Sequence, residues 1–336
     1  MLNAPYGVKK TTAEPAGEAR PAKVFSVCLA IPTYNREQVL LDTIRQVLAQ
    51  EPPADEVLVV DQTVNHAPAT ARDLTAWHRE GRIRWIRRSS PNASSARNQA
   101  LIEARSDIVI FIDDDVVLGP GFVEAHRRSY DDARVDMVAG QVLSKDGRVH
   151  SGRVNNYDMG FPLNHDERTW IGTWRSCNCS VRRRLALELG GFDEQYFHGA
   201  SKEESDFAAR AMAQSGRRVL FEPRASVVHL AEPMGGARSW GGYFAPRAVA
   251  WAVGEYYFAL MNLPLGRMIR HVVWRLFRNS ADRYCRRHPW VIPPMLAREA
   301  VGFVWALALS AQGRKLIPSG VARGEEPCYP ENVNEF

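Results

Sequence analysis

The sequence predicts an α/β protein built on a doubly wound, mainly parallel sheet flanked by helices. Three observations indicate this fold class. Apolar runs rich in β-branched residues alternate with amphipathic segments, the connections between them are short, and several apolar runs end on polar side chains. Parallel strands are buried on both faces and therefore appear as continuous apolar runs. The clearest run, 108–112, leads directly into Asp113, Asp114 and Asp115.

The first third of the chain alternates regularly between predicted strands and helices. Continuous apolar runs predict buried strands, and apolar residues at helical spacing predict amphipathic helices. The expected strands are 24–31, 56–61, 82–87 and 108–112. The expected helices are 37–50, 69–80 and 92–104, the last with Asn92 or Ser94 as its N-cap. The carboxyl ends of these strands would share one edge of the sheet, where open α/β sheets bind their ligands.

The pattern becomes less regular after the acidic triplet. Ser201 and Glu204 have the spacing of a capping box, in which the N-cap and a later carboxyl group each bind a backbone N–H group. The polar loop 144–169 is long for a compact domain, and such loops are usually functional or mobile. We expect helices at 122–131, 183–189 and 201–215, and extended segments at 137–143, 174–182, 218–222 and 225–229.

The C-terminal third differs in composition from the rest. The apolar segment 300–311 is too short to span a bilayer, which takes about 20 residues. Segment 267–287 interleaves arginines with Trp and aliphatic residues, as in helices that lie at an anionic membrane surface. A helical cap on the α/β domain and an oligomer contact are the alternatives. We expect a disordered leader at 1–22, an α/β domain at 23–232, a helical region at 233–318 and a loose tail at 319–336.

Composition and charge narrow the class of protein. The 336 residues are 45% hydrophobic and 24% charged, as in an ordinary globular protein. The net charge of +5 suits anionic substrates or an anionic membrane surface. No zinc-finger spacing or RNA-binding aromatic motif is present, so we expect no nucleic-acid partner. Five irregularly spaced cysteines and no signal-peptide pattern favour a reducing cytoplasm.

The acidic triplet is the strongest candidate site. In an extended chain Asp113 and Asp115 point to one side and Asp114 to the other. Two carboxylates on one side suit a hard divalent cation such as Mg²⁺ or Mn²⁺, shared with a phosphate. A solvated loop after a strand is the alternative, but three consecutive acids repel one another and favour a cation.

Six motifs occur together in one order along the chain. They resemble the signature set of glycosyltransferase family 2, whose members have the GT-A nucleotide-sugar-binding fold and act with inversion. The resemblance covers about residues 24–230 and excludes the C-terminal third. The motifs are Ile31–Arg36, Val59–Asp61, Ala96–Asn98, Phe111–Asp115, Gly190–Glu194 and Glu203–Phe207.

The resemblance implies a nucleotide-binding half at 23–118 and an acceptor-binding half at 119–232. Thr33 and Tyr34 would line the base pocket, Asp61 would accept a hydrogen bond from the base, and Asp114 would contact the ribose. The implied nucleotide contacts are Pro32, Thr33, Tyr34, Asn35, Arg36, Asp61, Arg97, Asp113 and Asp114.

The resemblance also implies a metal site and a catalytic base. Asp115 would be the most dependable cation ligand, joined by Asp113 and His229. The family commonly places its base at the Asp of a Glu-Asp pair, where this chain has Glu204, so Glu203 and Asp206 remain alternatives. A stretch near the donor sugar and the acceptor would supply Asn178, Arg182 and Arg183.

The expected function is therefore inverting, metal-dependent transfer of a sugar from a nucleotide-diphosphate sugar. UDP and dTDP are the expected nucleotides, and Mn²⁺ or Mg²⁺ the expected cofactor. The acceptor would be a hydroxyl of a glycan, a lipid-linked glycan or a small molecule, in polysaccharide synthesis. The location would be the cytoplasm, with peripheral contact at the inner face of the cell membrane. The alternatives are an inactive nucleotide-sugar-binding scaffold and a haloacid-dehalogenase-like phosphatase with Asp113 as nucleophile.

Overall fold

A computed structural model describes residues 24–149, 163–197, 200–236, 246–280 and 286–320. The expected leader lies outside these residues, as do most of the expected tail and half of the polar loop 144–169. The strands are β1 Val27–Thr33, β2 Glu56–Asp61, β3 Arg84–Arg87, β4 Ile108–Ile112, β5 Val116–Leu118, β6 Met137–Leu143, β7 Thr169–Ile171, β8 Asn178–Arg182 and β9 Val219–His229. The helices are α1 Gln38–Leu48, α2 Pro68–Arg79, α3 Ala93–Glu103, α4 Phe122–Ser129, α5 Arg183–Glu188, α6 Glu203–Ser215, α7 Pro246–Asn262, α8 Leu265–Ser280 and α9 Ile292–Gln312.

One sheet organises the fold. Its strand order is β3-β2-β1-β4-β8-β6-β9-β5, and β7 pairs with β9. Strands β3, β2, β1 and β4 are mutually parallel, whereas β8 is antiparallel to both of its neighbours. All five residues of β4 are buried, and apolar clusters cover both faces of the sheet. The expected mixed, mainly parallel sheet flanked by helices is confirmed.

Several elements differ from the expectation. The two short strands expected at 218–222 and 225–229 form the single strand β9, which shifts its register on β6 between Gly140 and Gln141. The short strands β5 and β7 were not expected, because three residues carry too little periodicity. Asn92 caps α3, with its Oδ1 accepting from the N–H of Ser95 at 3.0 Å.

The expected capping box at the start of α6 is wrong. The helix begins at Glu203, and its N-cap is Lys202 in the left-handed region, with φ of 80° and no side-chain cap. Ser201 therefore precedes the cap, and its hydroxyl donates to the carbonyl of Trp251 on α7 at 3.4 Å. Packing of the C-terminal region, which local spacing does not reveal, sets this helix start.

The C-terminal helices pack against one another and against the α/β domain. α7 and α9 share an apolar cluster that includes Tyr196, Val253, Tyr256 and Ala306. The expectation of a segment too short to span a bilayer is wrong, because α9 alone has 21 residues. Pro289–Gln312 is long and apolar enough, by length and composition, to cross a membrane.

Candidate active site

The carboxyl edge of the parallel strands brings three predicted ligands together. Asp113 and Asp115 follow β4, and His229 ends β9, where it pairs with Val116 of β5. The Nε2 atom of His229 lies 3.3 Å from Asp113 Oδ2 and 3.4 Å from Asp115 Oδ1. One ligand atom from each residue falls within 4.8 Å of the others. Two carboxylate oxygens and an imidazole nitrogen at this spacing fit a divalent cation such as Mn²⁺.

The two acids at this site have different electrostatic environments. Burial would raise the pKa of Asp113, but the hydrogen bond and charge of His229 outweigh burial and lower it. Burial and the neighbouring Asp113 carboxylate raise the pKa of Asp115. A cation between these carboxylates would relieve their mutual repulsion, which is the physical reason for such a cluster to bind a metal.

Asp114 points away from this cluster, as the alternation of side chains along an extended chain predicts. Its side chain points into the protein interior. Its Oδ2 accepts from the Thr33 hydroxyl at 2.7 Å and its Oδ1 from Arg36 Nε at 3.1 Å. Burial, with the charges of its two neighbours, raises the pKa of Asp114 to about 7. Both oxygens are engaged and the residue is buried, so these contacts favour a structural role for Asp114 over the predicted ribose contact.

Arg36 is turned inward and forms ion pairs with two residues of the acidic triplet. Besides Asp114, it contacts Asp115, with its Nη2 atom 3.3 Å from Asp115 Oδ2. Its other terminal nitrogen donates to the carbonyls of Glu232 and Met234. Arg36 therefore neutralises two carboxylates and fastens the segment after His229 over them.

That segment folds against the turn that ends β1. The N–H of Glu232 donates to Asp115 Oδ2 at 2.9 Å, and the N–H of Gly236 donates to the carbonyl of Tyr34 at 2.7 Å. Gly235 has φ of 81°, and a Cβ there would lie 2.3 Å from the carbonyl oxygen of Asn35. A side chain at this position would separate the segment from the turn.

Asp61 ends β2 beside this turn, as expected, but its carboxylate is buried. Its Oδ2 accepts from His66 Nε2 at 2.7 Å and from Trp85 Nε1 at 2.9 Å, and its Oδ1 accepts from the N–H of Thr63 at 2.9 Å. The hydrogen bond and charge of His66 outweigh burial and lower the pKa of Asp61. In this conformation Asp61 holds the side chains of His66 and Trp85 at the end of β2.

A second acidic group lies at the start of α6. Glu203 accepts from Arg97 Nη1 at 3.3 Å, and its side chain also hydrogen-bonds that of Glu204. Burial and the adjacent Glu204 carboxylate raise the pKa of Glu203 well above its ordinary value. Arg97 also helps to lower the pKa of Asp113, so its charge acts on both the metal-ligand cluster and the glutamate pair.

Asp206 has a structural environment. It is fully buried, and it accepts from Arg210 Nε at 2.8 Å, from Asn262 Nδ2 at 2.8 Å and from Arg314 Nη2 at 3.0 Å. These partners come from α6, α7 and the segment after α9. Asp206 therefore links the α/β domain to the C-terminal region, and these contacts favour a structural role over the predicted role as a base.

The structure separates the three residues that were predicted to lie near the donor sugar and the acceptor, Asn178, Arg182 and Arg183. Because β8 runs antiparallel to β4, Asn178 pairs with Ile112 near the site, whereas Arg182 pairs with Ile108 at the opposite edge. Arg182 donates there to the carbonyls of Val135 and Tyr130. Arg183 donates to the carbonyls of Leu101 and Ile102, at the end of α3. Asn178 is buried and its amide donates to the carbonyls of Gln141 and Ala225.

Three residues that hold the site were not singled out from the sequence. The indole Nε1 of Trp174 donates to the carbonyl of Glu204 at 2.8 Å. The Asn98 amide both donates to and accepts from the backbone of Phe192, at 2.9 and 2.7 Å. The Tyr257 hydroxyl donates to Asp193 at 2.7 Å. Only Asn98 had a sequence signal, because it lies in a quoted motif; the others depend on contacts distant in sequence.

Comparison with known sequences identifies the family. The profile of the family Glycosyl transferase family 2 matches residues 28–190. An uncharacterized protein of Mycobacterium tuberculosis is 30% identical over 225 residues, which cover 60% of this chain and 66% of that protein. Hyaluronan synthase of Streptococcus pyogenes is 29% identical over 188 residues, which cover 52% of this chain and 45% of the synthase. This chain thus spans at most about two thirds of these relatives.

Solved structures show the same fold. GalNAc-T7, crystallised with UDP, GalNAc and Mn²⁺, superposes with a TM-score of 0.53 at 13% identity. The superposition covers 71% of this chain and 51% of the GalNAc-T7 chain. The mannosyltransferase PcManGT of Pyrobaculum calidifontis, solved with GDP-Man and Mn²⁺, superposes with a TM-score of 0.50 at 17% identity. The superposition covers 91% of this chain and 82% of the PcManGT chain. Residues 28–190 therefore belong to glycosyl transferase family 2, and the chain has the GT-A fold.

Proposed function

We propose that this chain is an inverting, metal-dependent glycosyltransferase that uses a nucleotide-diphosphate sugar. The observation that carries the proposal is one arrangement of three groups. Arg97 forms an ion pair with Glu203 of the glutamate pair at the start of α6, and its charge also acts on Asp113 of the metal-ligand cluster, whose other members are Asp115 and His229. Sugar transfer needs charge neutralisation at the leaving diphosphate and a base for the acceptor hydroxyl, and this arrangement offers both.

The donor would bind at the carboxyl ends of β1, β2 and β4. The turn Thr33–Arg36 and Asp61 border this edge, with Tyr34 half-buried and Asn35 exposed. UDP and dTDP are the nucleotides we propose, as the resemblance implies. When bound by Asp113, Asp115 and His229, Mn²⁺ or Mg²⁺ would supply positive charge that neutralises the leaving diphosphate. Arg36 fixes the orientation of Asp115 and so prepares the ligand set.

Glu204 is the base we propose. In this proposal the neighbouring Glu203 carries a proton, because burial and the Glu204 carboxylate raise its pKa, and Glu204 accepts the proton of the acceptor hydroxyl. The indole N–H of Trp174 holds the backbone of Glu204 by donating a hydrogen bond to its carbonyl. The proton passes from the acceptor oxygen to Glu204 as that oxygen forms its bond to the anomeric carbon and the bond to the diphosphate breaks.

The acceptor we propose is a hydroxyl of a glycan, a lipid-linked glycan or a small molecule, in synthesis of cell-surface polysaccharide. The location we propose is the cytoplasm, with peripheral contact at the inner face of the cell membrane. The exposed apolar helices of the C-terminal region and the net charge of +5 support that location.

The test is release of nucleotide diphosphate from a panel of UDP-, dTDP- and GDP-sugars, with Mn²⁺, Mg²⁺ or EDTA. We expect release from one nucleotide class, loss with EDTA, and loss in Asp115→Asn. Asp131→Asn is the matched control, since Asp131 is an exposed acid after α4. Release from no donor by folded protein would support an inactive scaffold, and phosphate release with Asp113-dependent phosphoenzyme would support the phosphatase.

A further inference from the structure

The outer side of α9 is apolar along its whole length. Leu296, Val301 and Val304 are 40%, 53% and 65% exposed, at helical spacing. The two charged residues of this helix, Arg298 and Glu299, are turned inward with side chains 14% and 0% exposed. A helix on the surface of a soluble domain normally shows the opposite polarity, with charged groups outward. This side of α9 therefore faces an apolar environment.

Helix α8 repeats the same inverted polarity. Ile269, Val273 and Trp274 are exposed, at 51%, 60% and 50%. His271 and Arg275 point inward, where Arg275 Nε lies 2.8 Å from Glu299 and His271 Nε2 lies 3.4 Å from Glu255. We call these exposed residues of α8, together with Leu296, Val301 and Val304 of α9, the C-terminal apolar face.

Positive charge accompanies this face. Arg270 lies among the exposed residues of α8, and Arg286 and Arg287 are exposed just before α9. The acids of α7, α8 and α9 among the described residues are Glu255 and Glu299, and both are paired inward. An apolar face next to arginines that have no acidic partner within the described part of the chain matches an anionic lipid surface, where each basic residue adds to binding.

We propose that the C-terminal apolar face docks this protein onto an anionic bilayer. The helix α9, at 21 residues, is about 30 Å long and could span a bilayer by length. Its inner side argues against spanning, because Glu299 there binds Arg275, Arg298 and the Tyr256 hydroxyl. Crossing would bring this ionic group into hydrocarbon, so α9 lies in the interface with its outer side toward the acyl chains.

The docked face is connected to the loop that precedes the proposed base. Phe197 packs on Trp305 of α9 with ring centroids 5.0 Å apart. Ser201 donates to the carbonyl of Trp251 on α7, and Glu203 begins α6 two residues later. Docking would therefore hold this loop beside the bilayer, and the acceptor class we infer is a lipid-linked glycan. This second statement rests on the proposed function, whereas the docking itself does not.

The experiment is co-sedimentation of the full chain with vesicles, without donor. The probes are vesicles of phosphatidylcholine and vesicles of phosphatidylcholine mixed with phosphatidylglycerol. We expect binding to the mixed vesicles that weakens at high salt, and a drop of about tenfold or more in Val301→Asp/Val304→Asp. Val24→Asp is the matched control, because Val24 is 83% exposed before β1. Circular dichroism would show that each variant folds.

Other outcomes overturn the docking. Equal vesicle binding by the double variant and the wild type would exclude the C-terminal apolar face as the docking surface. Resistance of the vesicle-bound protein to alkaline carbonate extraction would show a spanning helix. A dimer that the double variant dissociates, without vesicle binding, would assign the face to a second copy. Vesicle binding by a protein without transferase activity would refute the proposed function and leave the docking intact. Transfer to soluble acceptors, unchanged by vesicles carrying lipid-linked acceptor, would refute the acceptor class alone.

Discussion

Replacing each glutamate of the pair by glutamine should give unequal results. Glu204→Gln removes the proposed base, and the loss of a positioned general base lowers kcat about 10²- to 10⁴-fold. That loss corresponds to about 3–5 kcal/mol of activation free energy. Under the proposed division of roles, Glu203→Gln replaces a protonated carboxyl group, whose pKa is raised by burial and by Glu204. The amide oxygen can still accept from Arg97, which lies 3.3 Å from Glu203, so kcat should fall by less than about tenfold.

The assay is single-turnover transfer with the donor that the nucleotide-sugar panel selects, at saturating donor and metal. Nucleotide binding, measured separately, should be unchanged in both variants, since neither glutamate is among the proposed nucleotide contacts. A Glu203→Gln variant as slow as Glu204→Gln would refute the division of roles within the pair. Full activity of Glu204→Gln would refute the assignment of the base.

Three further substitutions test neighbouring assignments. Asp206→Ala should destabilise the fold by about 3–5 kcal/mol in chemical denaturation, because Arg210 and Arg314 lose a buried partner; turnover lost at unchanged stability would instead make Asp206 a base. Burial lowers the pKa of His66, but its partners Asp61 and Glu37 outweigh burial and raise it. The stability that His66 gains from these partners is therefore complete below the unfolded pKa of about 6.5 and is lost as pH rises through the folded pKa. Thermal melts from pH 6 to 9 should show a smaller decline in His66→Asn than in wild type, and equal declines would contradict the pair. Arg182→Met should keep near wild-type turnover while melting earlier, because Arg182 binds backbone carbonyls at the edge opposite the site; normal melting with lost turnover would return Arg182 to the active site.

The parallel part of the fold could be predicted because its rules are local. Apolar runs fixed β1, β2 and β4, and parallel pairing alone brings Thr33, Asp61 and Asp113 to one edge. The metal-ligand cluster followed from the same rule, with His229 added by the resemblance. The direction in which Asp114 points also followed from strand alternation, although its partners Thr33 and Arg36 did not.

The remaining features depend on contacts between distant segments. The spacing of Asn178 and Arg182 does not reveal that β8 runs antiparallel to β4, and that reversal moves Arg182 away from the site. The capping-box spacing of Ser201 competed with packing against α7, and the packing determined the helix start. The inward orientation of Arg275 on α8 was also hidden, because this residue appears solvent-facing until its partners Glu255 on α7 and Glu299 on α9 are known.

Calorimetric titration of UDP, dTDP and GDP into the protein, each with Mn²⁺ and with EDTA, tests the central claim most directly. A family 2 transferase with its cation site at Asp113, Asp115 and His229 should bind one diphosphate at micromolar Kd, and Asp115→Asn or EDTA should abolish that binding. Binding of no diphosphate by the folded protein, or binding that is indifferent to metal and to Asp115→Asn, would contradict the account.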